Sequence, residues 1–220
     1  MIKSEAVPEP TRHPRTLAWF LLIAFVAANG FDYKPPEIPP AGHAAKFPQH
    51  ETHKDEAVTI AIDPYGPEKD SVFHVKFYDH RVLPVRLIIS NDSDKPLSLM
   101  DAQIQFTTAK KAKGEPLTKE DVERAIGNSV EPQDRSSAGL PLPVPIPRRK
   151  PKRLPKDADE EIDYLIFKAK AVEPHNTQSG FLFFDVSGVQ QPLIGSHILF
   201  TGIRNGDGQE LFYFDIPLQK

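Results

Sequence analysis

The chain has 220 residues, with 27 Lys and Arg against 30 Asp and Glu, and contains no cysteine. The absence of thiols excludes disulfides, thiolate metal sites, cysteine nucleophiles and a cysteine-linked lipid anchor. A net charge of −3 gives no whole-molecule drive toward nucleic acid, so no nucleic-acid partner is expected.

At the amino terminus, Lys3, Arg12 and Arg15 precede the apolar stretch Leu17 to Ala28, which closes on Val26-Ala27-Ala28 before Asn29 and Gly30. Signal-peptide apolar regions run about 7–15 residues and bilayer spans about 20. The stretch therefore reads as an export signal (residues 1–28), with cleavage after Ala28 and small residues at Val26 and Ala28. The competing reading is an uncleaved amino-terminal membrane anchor, favoured by the long leader with Glu5, Glu9, Pro8, Pro10 and Pro14. Both place the rest of the chain outside the cytoplasm, in the periplasm or cell envelope, either free or tethered to the inner membrane.

Residues 29–56 carry Pro35, Pro36, Pro39, Pro40 and Pro48 among polar side chains and read as an extended linker. From Ala57 the apolar period becomes two, which predicts half-buried strands. Val58, Ile60 and Ile62 define the first, Phe73, Val75 and Phe77 the second, and Leu83, Val85, Leu87 and Ile89 the third. Pro84 cannot donate to a ladder, which points to an edge or a strand start. After the turn Asn91-Asp92-Ser93-Asp94-Lys95-Pro96, a fourth strand runs from Leu97 to about Thr107. Its apolar parity slips near Met100 or Asp101, predicting a β-bulge.

Strand patterning stops over residues 108–160, read as an insertion. Within it Thr118 has the chemistry of an N-cap, Glu120 and Asp121 fall in the first turn, Leu117 can staple onto Val122, and Gly127 ends a helix of about two turns. Pro141, Pro143, Pro145 and Pro147 then alternate, favouring a polyproline-type conformation. A basic cluster follows, Arg148, Arg149, Lys150, Lys152, Arg153 and Lys156, and then an acidic run, Asp157, Asp159, Glu160, Glu161 and Asp163, which could partly neutralise it. Strand character resumes at Tyr164 to Ala171 and Phe181 to Val186. A final hairpin pairs Ile198 to Arg204 with Glu210 to Ile216 around Asn205-Gly206-Asp207-Gly208. The sum, for residues 57–220, is an all-β, antiparallel immunoglobulin-like β-sandwich of about seven to eight strands with a long insertion holding one short helix and a Pro-rich basic loop.

The strand, Asn/Asp turn and strand of Leu83 to Phe106, and the polar turn leading through Gly180 into Phe181-Leu182-Phe183-Phe184, resemble immunoglobulin-like β-sandwich domains of poorly characterised bacterial envelope proteins. The chain departs from antibody-type members in lacking cysteines and a core tryptophan, since Trp19 is its single tryptophan. The resemblance implies adhesion, assembly or scaffolding and no specific activity.

No enzyme signature is present. Ser187-Gly188 follows a strand, but Asp185 stands where a nucleophile elbow needs Gly. Asp92 with Asp94, and Asp207 between two glycines, lack a continuing calcium loop and read as turns. No carboxylate pair is nominated for glycoside hydrolysis. His43, His50 and His53 share one Pro-rich segment, and His74 and His80 flank a predicted strand. These histidines carry the alternative reading, a periplasmic ligand-binding or metal-handling protein, although no metal or cofactor site is assigned. The leading expectation is a non-enzymatic exported interaction or assembly module. Arg148, Arg149, Lys150, Lys152 and Arg153 form its contact surface, toward an envelope protein or an anionic envelope surface.

Overall fold

The computed structural model describes residues 33–127 and 157–219, within the unit Tyr33–Lys220. In chain order the strands are β1 (Gln49–His53), β2 (Val58–Pro64), β3 (Val82–Asn91), β4 (Leu97–Ser98) and β5 (Gln103–Thr107). They continue with β6 (Lys113–Gly114), β7 (Ala171–Val172), β8 (Asn176–Asp185), β9 (His197–Thr201) and β10 (Phe214–Pro217). Two helices, α1 (Lys119–Gly127) and α2 (Ala158–Leu165), complete the regular structure apart from short 3-10 turns. Among the described residues no helix is long and apolar enough to cross a membrane. The predicted signal or anchor lies outside the described residues.

Every ladder between named strands is antiparallel, and the fold is the all-β sandwich that the period-two patterning anticipates. One sheet has the order β1-β2-β3-β8, the other β10-β9-β5-β6, and β4 pairs with β7 in a two-stranded ladder. The predicted alternation supplies the face between the sheets. Val58, Ile60, Ile62, Leu83, Val85, Leu87, Ile89, Leu182 and Phe184 meet Phe106, Ile198, Phe200, Phe214 and Ile216 there. At about 1.5–3 kcal/mol for each fully buried large side chain, this layer is the dominant favourable term for a chain without cross-links.

The first sheet has a second buried face. Phe181 and Phe183, on the opposite side of β8, pack with Phe73, Val75 and Phe77 and with Val122 and Ile126 of α1 and Ala158, Ile162 and Leu165 of α2. All ten residues of β3 are consequently buried. The helix around Thr118 forms as its sequence predicts. The Thr118 hydroxyl accepts the Asp121 N–H at 3.2 Å, and Val122 and half-buried Leu117 join the same cluster.

Several expectations need correction. Residues 73–77 are not a strand: Phe73, Val75 and Phe77 are buried at alternate positions, but the segment has no strand partner and runs between 3-10 turns at Asp70–Val72 and Phe77–His80. Tyr164 to Ala171 is not one strand, because its start ends α2, whose buried Ala158, Glu161, Ile162 and Leu165 follow helical spacing. Only Ala171 begins a strand, β7. The parity slip after Leu99 is not a bulge: Met100 and Asp101 turn the chain from β4 in one ladder to β5 in another sheet. Residues 29–56 are not wholly a linker, since β1 lies within them and pairs along its length with β2.

The expected insertion 108–160 begins inside a hairpin, because β6 pairs with β5, and its end cuts through α2. Pro84 is near the start of β3, as expected, yet β3 is an interior strand. The Pro84 carbonyl accepts the Tyr65 N–H at 2.8 Å beyond the end of the β2 ladder, so the missing proline donor breaks no rung. In the last hairpin the ladder covers only Phe214–Pro217 against His197–Phe200, with an isolated bridge at Arg204 and Glu210. Asn205 Oδ1 accepts the N–H groups of Asp207 and Gln209, which shapes the tip.

Candidate functional site

The most concentrated polar chemistry lies on the helical side of the first sheet. Helical spacing carries Glu161 inward beside Ile162, and its side chain is fully buried. Its two carboxylate oxygens accept the N–H groups of His74 and Val75, each at 2.8 Å. The His74 Nδ1 lies 3.4 Å from the same carboxylate, and the Tyr33 ring sits edge-on to the His74 ring at 6.2 Å. The Tyr33 hydroxyl is buried without a hydrogen-bond partner, and its acidity is suppressed first by burial and then by the nearby Glu161 charge. Chemically this is a clamp. Both Glu161 oxygens are engaged by amide donors that residues 73–77 cannot offer to a neighbouring strand, so the carboxylate replaces a ladder for that segment.

The same layer holds two further buried polar groups. Asp70 is buried, its Oδ1 has no partner, and burial raises its pKa. Arg86, on the outer face of β3, is buried near Tyr65, whose pKa is raised first by burial and then by the Asp63 charge. Arg86 also borders a cavity of about 240 Å³ together with Pro39, Pro40, Tyr164 and Ser179.

The predicted contact residues Arg148, Arg149, Lys150, Lys152 and Arg153 lie outside the described residues. The acidic run beyond them is not a uniform solvated block. Glu161 is the buried clamp, Asp159 is 2.7 Å from Lys119, and Asp163 is 2.8 Å from Lys168. The Lys119 pairing lowers the Asp159 pKa, and the hydrogen bond with Asp159 raises that of Lys119.

The histidines do not converge. His43 caps the 3-10 turn Ala44–Lys46, with Nδ1 accepting from Ala45 N–H, and its Nε2 lies 3.0 Å from Asp92. His50 Nδ1 is 2.5 Å from the Phe47 carbonyl. His53 sits between Glu51 and Glu56, at 3.3 and 2.8 Å, and stacks on Phe214 at 3.9 Å. The Glu51 and Glu56 carboxylates in turn accept the N–H groups of Asp215 and Phe212, so the three side chains seam β1 to the β10 edge. Among the described residues no group of three His, Asp or Glu side chains could hold a metal ion. His74 flanks no strand but belongs to the Glu161 clamp, and His80 lies at the end of a 3-10 turn.

The remaining candidates are turns. Ser187 N–H donates to Asp185 Oδ1 at 2.7 Å, Asp94 pairs with His175, and Asp207 pairs with Lys95. Reasoning from the sequence missed Glu161 because it lies in a charge run. The detectable signal was the apolar spacing of Ala158, Ile162 and Leu165 around it.

No protein-family model matches the chain, and no curated protein matches it in sequence.

Proposed function

We propose that the protein is an exported, non-enzymatic immunoglobulin-like module that makes protein contacts in the bacterial cell envelope. The observation that carries this reading is the anchoring of the segment 128–156. It leaves from α1 and returns at α2, and Val122, Ile126, Ala158, Ile162 and Leu165 fix both helices in one buried cluster against the first sheet. A Pro-rich stretch and five clustered cations, Arg148, Arg149, Lys150, Lys152 and Arg153, thus sit between two fixed ends, an arrangement suited to binding from a rigid scaffold. The strand order supports the immunoglobulin-like assignment. β2-β3-β8 follows the A-B-E order of such sandwiches, and β10-β9-β5-β6 follows G-F-C-C′. The basic leader and apolar stretch of residues 1–28 support export.

The test is in-cell crosslinking with identification of the captured partner, comparing the wild type with a variant carrying Ser at Arg148, Arg149, Lys150, Lys152 and Arg153. Loss of one reproducible envelope partner in the variant is expected. Equal capture by a folded variant would remove these cations from the contact. Amino-terminal sequencing of envelope-fraction protein is expected to begin at Asn29, whereas an intact Met1 in the soluble cytoplasmic fraction would defeat the location.

A further inference from the structure

We propose that the end of the sandwich formed by the β5–β6 hairpin and the β8–β9 connection binds an acidic peptide segment of a partner protein through one apolar anchor side chain. This surface is separate in sequence from the cations of residues 148–153.

A cavity of about 370 Å³ opens between the two loops, and its apolar lining includes Ala109, Ala112, Val189 and Ile194, with Lys110 beside them. Ile194 is 52% exposed, a large aliphatic side chain left facing solvent next to a concave surface. The two walls are built. Buried Thr108 closes the hairpin three ways: its N–H donates to the Ala112 carbonyl, its carbonyl accepts from Lys111 N–H, and its hydroxyl accepts from Ala112 N–H. Lys111 takes a left-handed backbone, φ +66°, to complete that turn. On the opposite wall Gly195 has φ +64°, and a side chain there would come within 3.1 Å of the Ala109 Cβ. Glycine at this position lets the β8–β9 connection approach the hairpin and close the floor of the groove.

Three lysines of the hairpin stand on one side of the groove, and across it the Asp185 carboxylate is held by the Ser187 N–H. Lys110, Lys111 and Lys113 are exposed, and among the described residues none of them makes an ion pair. Seven described cations, Lys34, Lys69, Lys95, Lys119, Arg124, Lys168 and Arg204, each have a carboxylate partner, while Lys46, Lys54, Lys76, Arg81, Arg86 and Lys170 have none but are dispersed along the chain, so the hairpin differs in packing three such cations into four residues. Three uncompensated cations within four residues, on a chain of negative net charge, attract an anionic partner at this end. A flat lipid surface can meet the lysines but cannot fill a concavity. A peptide side chain flanked by carboxylates satisfies both features, with the apolar anchor in the groove and the charges at its rim.

The experiment uses the full-length protein and fluorescence anisotropy with a fluorescein-labelled peptide, Asp-Glu-Asp-Leu-Phe-Asp-Glu-Asp. Saturable binding that weakens with salt is expected. The triple variant Lys110→Glu, Lys111→Glu, Lys113→Glu should lose about tenfold in affinity, the summed effect of three exposed pairs, and Ile194→Asp should lose a similar factor. A peptide with Ser-Ser in place of Leu-Phe should bind more weakly, and substitution of the 148–153 cations should leave binding unchanged. Circular dichroism confirms the fold of each variant, with Lys→Gln replacing Lys→Glu should the triple reversal fail to fold. Absence of binding, equal binding by the folded lysine variants, or dependence only on the 148–153 cations would overturn the proposal. Binding to phosphatidylglycerol vesicles that the peptide does not compete would also overturn it, in favour of a lipid surface.

Discussion

Removing the Glu161 carboxylate should destabilise the fold far more than removing the histidine beside it. Glu161→Ala deletes two charge-assisted hydrogen bonds of 2.8 Å and leaves the Val75 and His74 N–H groups without acceptors in a largely buried setting. At about 1.5–3 kcal/mol for each bond to a charged group, the loss is about 3–6 kcal/mol. With about 2–4 °C per kcal/mol for a domain of this size, the melting temperature should fall by roughly 6–24 °C. Glu161→Gln keeps one acceptor but turns an amide NH2 toward the other N–H, so it should lie between wild type and Glu161→Ala. His74→Phe removes only a 3.4 Å contact from a half-exposed ring and should cost less than about 1 kcal/mol. Differential scanning fluorimetry gives the midpoints, and native-state hydrogen exchange should show protection of the His74 and Val75 amides lost selectively in Glu161→Ala. A Glu161→Ala midpoint within 2 °C of wild type, or unchanged protection of those amides, would refute the clamp.

Gly202→Ala should be strongly destabilising, because Gly202 has φ +74° and an added Cβ would lie 2.2 Å from the Asp101 carbonyl oxygen. Chemical denaturation should show a lowered midpoint with an unchanged slope. Asp70→Asn should raise the thermal midpoint slightly at pH 7, by roughly 1–3 °C, since it keeps the size of the side chain and removes a charge that burial disfavours. The sign follows from the raised pKa of Asp70. The ionised carboxylate weakens the fold above its folded pKa and is neutral in both states below about pH 3.8, so the advantage of Asn should vanish in melts at pH 3.

How much of this was legible depended on which face a residue serves. Alternation located β2, β3 and β8 because Ile60, Leu87 and Leu182 face the inter-sheet core while their neighbours in sequence point away. It could not show that the other face of β3 is buried too, since Val82 and Ile88 pack under elements distant in sequence. Phe73-Val75-Phe77 carries the same alternation without a ladder, because period two reports side-chain direction in any extended backbone and not the partner of its N–H groups. The Thr118 helix was readable from its cap, a local device. α2 was hidden because Glu160, Glu161 and Asp163 resemble a solvated run, and the burial of Glu161 depends on amides about 86 residues earlier in the chain. The groove at Ile194 was equally invisible, as it joins two loops whose meeting depends on the sheet order.

A strand buried on both faces has a consequence for biogenesis. β3 is complete at Asn91, but its neighbour β8 begins at Asn176, so β3 leaves the ribosome as a largely apolar segment, with Arg86 in its middle, whose long-range partner does not yet exist. Pairings this distant form late and leave aggregation-prone surface exposed while they wait. The first sheet can therefore be completed only once the carboxy-terminal half of the chain arrives.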